Sequence, residues 1–338
     1  MKILILILSL LAISSGLTVY GESNPMQENA KPQDSTIDVI GWFNKYDTLT
    51  YWIHETSWRI NGTDTVRTGL VSTKVRINVV DSTATGYKMD YAFLEFTTDT
   101  TATTSLTDFQ NKIIAKLGQK IVGTTVHFET DEYGKITKFN NLGQIKKQAK
   151  SLFKQAINDF SKLPEIQGLK EMGFDIKDYA KNVDTDKLVD GYLAELKMLF
   201  INHGLSMQIG ENTEHEDVTD TQFENTTYSS VFRDDDDDAY HIIYDVTSII
   251  PQNTLKAMVS GIVESLSDGS VAESFNKNFN EQVNVDGTFE DYIKIDYMPC
   301  GWPYYVVRQK TIMVSTRGKL QQTVISLDSY TLAQLYIS

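Results

Sequence analysis

Cysteine is nearly missing from this chain, and the one present, Cys300, has no second thiol to pair with. No internal disulfide can form, so packing has to hold the fold, and Cys300 reads as a small apolar side chain within Pro299-Cys300-Gly301-Trp302-Pro303. Positive charge is also short: 31 Lys and Arg stand against 45 Asp and Glu, a net charge of −14. Such a chain repels phosphate backbones and anionic lipid surfaces, which disfavours nucleic acid as a partner and requires any membrane contact to be apolar. Histidine is sparse, at positions 54, 127, 203, 215 and 241. His54-Glu55 and His215-Glu216 begin like a zinc-protease motif, but Trp58 and Thr219 stand where the second histidine belongs. No nucleophile elbow, glycine-rich phosphate loop or paired-cysteine metal site occurs, so no cofactor is expected.

Long apolar runs are lacking except at the start. Met1-Lys2 leads into an apolar stretch from Ile3 to Ile13 broken only by Ser9, and then come Ser14, Ser15 and Gly16, with Val19 and Gly21 placed as cleavage-site residues. Residues 1–21 are predicted to be a signal peptide, too short to stay in a bilayer as a span. No cysteine follows the cleavage point, so the expected product is unlipidated, soluble and periplasmic or extracellular, with no integral membrane segment. Polar residues with Pro25 and Pro32 predict a disordered spacer over residues 22–39, followed by a single domain over 40–338.

What is abundant is period-two alternation. Trp52, His54, Thr56, Trp58 and Ile60 share one strand face before an Asn61-Gly62 turn; Val71, Thr73, Val75, Ile77 and Val79 share the next, and Tyr87, Met89, Tyr91 and Phe93 a third. Two helical stripes follow, Leu106, Phe109, Ile113, Leu117 and Ile121, then Ile145, Leu152, Phe153, Ala156, Ile157 and Phe160, with a hairpin around Gly134 between them. A further helix over about 187–203 carries Leu188, Tyr192, Leu196, Leu199 and Phe200 inward and stops at Gly204. Later come a strand at Tyr240, Ile242, Tyr244 and Val246, a helix with Leu255, Met258, Val259, Ile262 and Leu266, and strands near 289–297, 304–314 and 320–327. The fold class is α+β: an antiparallel meander or half-barrel covered by amphipathic helices. The turn Gly318-Lys319-Leu320 echoes Gly134-Lys135-Ile136, which raises an internal duplication with halves at about 40–165 and 205–338.

The best metal candidate is the run Asp234, Asp235, Asp236, Asp237 and Asp238, preceded by Glu211, Glu214, Glu216, Asp217 and Asp220, whose oxygens suit calcium. Calcium loops interleave their ligands with turn glycines, however, and this run has none, so a solvated acidic loop with no metal is the expectation. Trp42, Trp52, Trp58 and Trp302-Pro303-Tyr304-Tyr305 could stack on sugar rings, against which Trp52 and Trp58 are expected in the core because their strand face alternates. A curved sheet under amphipathic helices also leaves room for an apolar pocket wherever side chains do not fill the space.

The stretch Gly123-Thr-Thr-Val-His-Phe-Glu-Thr-Asp-Glu-Tyr-Gly-Lys-Ile, after a meander and a helix, resembles secreted proteins of Bacteroides-type bacteria. In layout it is similar to periplasmic lipoprotein-carrier (LolA-like) domains, which implies a half-open antiparallel barrel lidded by helices. The resemblance brings no catalytic residues. Its implied partners are a lipid or another envelope protein. The expected function is therefore non-enzymatic binding of an apolar ligand or a partner protein in a sheet-helix cleft. A glycan- or protein-interaction module using exposed aromatics, and a hydrolase with a dispersed site, are the alternatives.

Overall fold

The computed structural model describes residues 35–99, 118–162, 185–216, 224–234, 238–266 and 284–332, with isolated positions between them. Residues 1–34, including the expected signal peptide, lie outside the described residues, as do Leu106, Phe109, Ile113 and Leu117 of the first expected helix and the side chains of Phe160, Leu188, Tyr192, Ile262 and Leu266.

A short strand β1 (Thr36–Asp38) opens the described chain, then three long ones, β2 (Thr48–Asn61), β3 (Asp64–Thr83) and β4 (Gly86–Asp99), form the expected meander. After a helical turn at 118–121 come β5 (Thr125–Thr130), β6 (Ile136–Phe139), and helices α1 (Leu142–Phe160) and α2 (Thr185–Leu199). The rest is β7 (Ser206–Gln208), β8 (Gly210–Glu216), β9 (Glu224–Arg233), β10 (Tyr240–Ile250), helix α3 (Gln252–Leu266), β11 (Gly287–Tyr297), β12 (Pro303–Val314) and β13 (Arg317–Thr331). The long strands join one antiparallel sheet of 11 strands in the order β6-β5-β4-β3-β2-β13-β12-β11-β10-β9-β8, while β1 pairs with β7 apart from it. Strands twist, and an open sheet this wide curls rather than staying flat. The final strand β13 closes against β2, so the two chain halves meet in the middle of the sheet.

One face of the sheet is the core face. Leu49, Tyr51 and Ile53 of β2, Val75, Ile77 and Val79 of β3, and Met89 and Tyr91 of β4 are all but inaccessible, and Val189, Leu193 and Leu196 of α2 with Ile145 and Ala149 of α1 belong to the same apolar cluster. We call this the inner face. Trp52 and Trp58, expected in the core, stand on the opposite, outer face, half-buried. Both parities of β2 carry large apolar residues, so alternation alone could not say which one meets the helices. The chain also packs earlier than expected: Ile37 and Val39 are buried and β1 is hydrogen-bonded to β7, because two apolar side chains amid the polar spacer find the chain that follows α2. Gly134 takes a left-handed φ of 94°, and any Cβ there would meet the His203 ring at 2.7 Å. At its supposed echo the left-handed residue is Ser315, while Gly318 has no such φ and is hemmed in by the Ile312 carbonyl. The two Gly-Lys turns are therefore not equivalent.

One end of the inner face is an aromatic cluster. Trp302 is wholly buried, 3.9 Å from the Phe43 ring, and Phe200 and His203 pack against Phe43 as well. Several polar atoms here are matched: Tyr51 donates to the Pro303 carbonyl at 2.9 Å, Tyr87 to the Gly41 carbonyl at 2.8 Å, Tyr244 to Asn202 Oδ1 at 2.9 Å, and Asn202 to the Tyr297 hydroxyl at 3.2 Å, while His203 Nδ1 and the Tyr240 hydroxyl are buried without a partner. Matched hydrogen bonds are what let polar atoms be buried without net loss.

Candidate functional site

The register of the central strands sorts the inner face into rows that run across the sheet, each row two residues further along and so about 7 Å from the last. The first row, Ile53, Ile325, Val306, Ile295 and Ile242, is apolar and sealed. The second holds Glu55, Thr323, Arg308 and Ile293; the third holds Ser57, Gln321, Lys310 and Asp291; the fourth holds Arg59, Lys319, Ile312 and Phe289. Within one step, then, the same face of the same three strands, β2, β13 and β12, turns from sealed and apolar to polar and charged. Its residues are mostly half-buried rather than sealed, and Glu55 is exposed.

Exposure and electrostatics together place this belt in a concavity. Glu55 reaches solvent, yet the surrounding protein desolvates its carboxyl enough to raise its pKa. A side chain on a convex surface would not show both. Glu195, brought in by α2, is raised as well, by burial first and by the Glu55 charge second, with Arg308 opposing. The two carboxyls therefore disfavour each other's ionisation. The Tyr91 hydroxyl, buried without a hydrogen-bond partner, lies within the electrostatic reach of both. Arg308 and Asp291 form a bidentate pair, with Nε donating to Oδ1 at 2.8 Å and Nη2 to Oδ2. Burial lowers Lys310, helped by Arg308 and opposed by Asp291, and pulls Lys319 down to about 8.

None of these belt residues was singled out in the sequence as a ligand-binding group. The available signal was a change of character at fixed parity: Leu49, Tyr51 and Ile53 are followed on the same face by Glu55, Ser57 and Arg59, and Val306 by Arg308 and Lys310. It becomes readable only when the inner parity is known.

The residues that were singled out are scattered. Asp234 accepts from His241 Nε2 at 2.9 Å, Asp238 has a left-handed φ of 58° and stands 3.9 Å from Arg233, and Asp235, Asp236 and Asp237 lie outside the described residues. Among the described residues no three His, Cys, Asp or Glu side chains converge on a common point. The aromatic platform is broken up: Trp302 is in the core, Trp42 is exposed, and Trp52 stacks on His54 under Lys74 on the outer face. Tyr304 and Tyr305 do share a shallow open groove of about 640 Å³ with Asp296, Met298, Ser326 and Leu327 at one end of the sheet.

That groove borders the tightest charge cluster. His241 is held between Asp296, 2.6 Å from Nδ1, and Asp234, 2.9 Å from Nε2, and Lys294 reaches Asp296 at 3.1 Å. Burial works against a charge on this imidazole, but the two carboxylate hydrogen bonds outweigh it and its pKa is raised. With both ring nitrogens engaged by carboxylates, the imidazole has no free nitrogen to take a proton from a nucleophile. His54 meets Ser72 at 2.8 Å, His215 meets Thr226, His127 meets Asp90, and His203 meets the Gly301 carbonyl. Among the described residues no histidine joins a hydroxyl to a carboxylate, the arrangement nucleophilic catalysis needs.

No family model and no curated protein matches this chain. Among solved structures, one described as lipid-protein interactions in lipovitellin is 12% identical, with a TM-score of 0.39, over 88% of this chain and 26% of that one. An outer membrane channel from Pseudomonas putida F1 is 8% identical, with a TM-score of 0.13, over 88% of this chain and all of that one. The chain thus spans about a quarter of the lipovitellin chain. Neither likeness is strong enough to bear on fold or function. No helix among the described residues is long and apolar enough to cross a membrane.

Proposed function

We propose that the protein is a non-enzymatic binding protein of the cell envelope, and that its ligand is an amphiphile held in the cleft between the inner face of the sheet and the helices. The observation that carries this is the switch along β2, β13 and β12 from the sealed row of Ile53, Ile325 and Val306 to a half-open polar belt on the same face. A core that is only being filled has no use for Glu55, Lys310 and Lys319 facing inward, because desolvating such groups costs stability. Apolar side chains frame the belt on its other sides, Val71 beside Glu55 and Ile312 and Val314 beyond Lys310, and all three are half-buried rather than sealed. A ligand with one apolar and one polar part matches that lining. Export rests on the leader at residues 1–21, and the helices α1 and α2, which share the core cluster with the sheet, are the natural wall of the cleft.

Organic extraction and mass spectrometry of the full protein purified from its own host test this reading. The expected result is one amphiphile at near-stoichiometric amount. An empty protein that also fails to bind lysolipid in a titration overturns it. The groove lined by Tyr304 and Tyr305 supports a second reading, a glycan- or protein-docking surface, which quenching of tryptophan fluorescence by soluble oligosaccharides would reveal.

A further inference from the structure

Arg59 and Lys319 sit directly opposite each other on β2 and β13, and Lys310 stands on β12 diagonally from Lys319, all on the inner face. Like charges on directly opposed strand positions repel, so this arrangement works against the sheet that holds it. In a chain with 14 more acidic than basic residues, a carboxylate partner for each would have been easy to supply. None has one: among the described residues Arg59, Lys310 and Lys319 make no ion pair or hydrogen bond, whereas the neighbouring Arg308 takes both oxygens of Asp291. Asp291, directly across from Lys310, gives both its oxygens to Arg308, and burial disfavours the ionised forms of the other nearby acids, Glu55 and Glu195. Lys319 is not a snorkelling surface lysine either, since its ammonium is desolvated where it stands. Beside the three cations are Gln321 and Ser57, neutral hydrogen-bond donors on the same rows. A planar guanidinium and two ammonium groups on neighbouring register positions of one face, none of them in an ion pair among the described residues, with an amide and a hydroxyl next to them, have the composition of an anion site.

We propose that Arg59, Lys319 and Lys310 bind the anionic group of the ligand, a phosphate or a carboxylate, at the far end of the cleft. This rests on the reading of the inner face as a ligand cleft and adds the chemical class of the headgroup.

The test uses the full chain and three probes: lysophosphatidic acid, the monoacylglycerol of the same acyl chain, and glycerol phosphate, each titrated by calorimetry against the wild-type protein and the Arg59→Gln/Lys319→Gln variant. The expected result is that lysophosphatidic acid binds at least about tenfold more tightly than the monoacylglycerol, and that the variant loses this preference to within about twofold. Added salt should weaken the two phosphate-bearing probes and leave the monoacylglycerol unchanged. Equal binding of the two acyl probes to the wild type overturns the anion assignment and leaves the cleft standing. A variant that keeps the full preference also overturns it, because the anion would then be held elsewhere. Glycerol phosphate binding as tightly as lysophosphatidic acid supports the anion site, makes the source a free anion, and overturns the amphiphile reading. Failure of all three probes overturns both. The substitutions remove desolvated charges, so the melting temperature should not fall; should the double variant not fold, Lys310→Gln is measured in its place.

Discussion

The two ends of the inner face are built from the same strands and obey opposite rules. At the sealed end, around Trp302, Phe43 and Tyr297, nearly every side chain is apolar or aromatic and the hydroxyls of Tyr51, Tyr87 and Tyr297 are hydrogen-bonded, with His203 Nδ1 and the Tyr240 hydroxyl buried without a partner. At the open end, around Arg59, Lys310 and Lys319, cations face inward with no ion pair among the described residues, and Glu55 disfavours the ionisation of Glu195. The sealed end contributes stability; the open end spends some of it. Natural proteins place such locally unfavourable groups where a ligand will later complete them. The contrast therefore separates the part of the molecule that folds it from the part for which we propose a ligand.

The largest expected effect that would break this contrast is at the sealed end. Trp302→Ala should cost about 3–5 kcal/mol in urea unfolding, since a fully buried ring leaves a cavity that its neighbours cannot close, while Ser57→Ala at the open end should change stability by less than about 0.5 kcal/mol. Similar costs at both positions would mean that the open end is packed after all. Next comes acid. Burial holds the His203 imidazole down to about 4, against about 6.5 when unfolded, so the unfolded chain binds the extra proton first. Stability should fall by on the order of 3 kcal/mol as pH drops from 6.5 through 4, as a pH series of melts would show, and His203→Gln should flatten that slope.

The open end should respond with the reverse polarity. Lys319 is lowered to about 8 in the fold and titrates near 10.5 when unfolded, so its unfavourable contribution is complete below pH 8 and fades as pH rises toward 10.5. Lys319→Met should stabilise the protein at pH 7 by on the order of 1–3 kcal/mol, a gain that disappears at pH 10; a loss of stability at pH 7 would show that the ammonium has a partner in solution. Glu195 is raised in the fold, so its favourable state is complete below the ordinary glutamate pKa and is lost as pH rises above it. Glu195→Gln should match wild type at pH 4 and exceed it by about 1 kcal/mol at pH 8. The smallest effect is the one expected from chelation: EDTA should leave the melting temperature unchanged, and a clear drop would restore calcium to the acidic run that includes Asp234 and Asp238.

The strands were legible because alternation is a local property. Val71, Thr73, Val75, Ile77 and Val79 fall on one face of β3 as read, and Tyr87, Met89, Tyr91 and Phe93 on one face of β4. The start of α3 followed from Pro251 in the same way, although the amide of Gln252 donates to Asp286, 34 residues away, whereas α2 ends at Leu199, short of the expected stop at Gly204, whose amide bonds the Val39 carbonyl instead. The orientation of β2 was not legible, because Trp52 and Trp58 on one parity and Leu49, Tyr51 and Ile53 on the other are equally apolar. With that parity unread, Glu55, Ser57 and Arg59 could not be recognised as an inward continuation of a core face, and the belt stayed hidden.

The amino-acid sequence by itself determined the balance of this protein: packing without cross-links, an acidic exterior, long alternating strands and amphipathic helices, all of which follow from residue type and spacing within a few turns of chain. Only the tertiary structure decided that β13 returns to lie against β2, with Lys319 and Arg59 about 260 residues apart in the chain. That pairing brings Lys319 opposite Arg59, and it does so because strand register is chosen by the whole sheet and by which face the helices bury, not by any segment on its own.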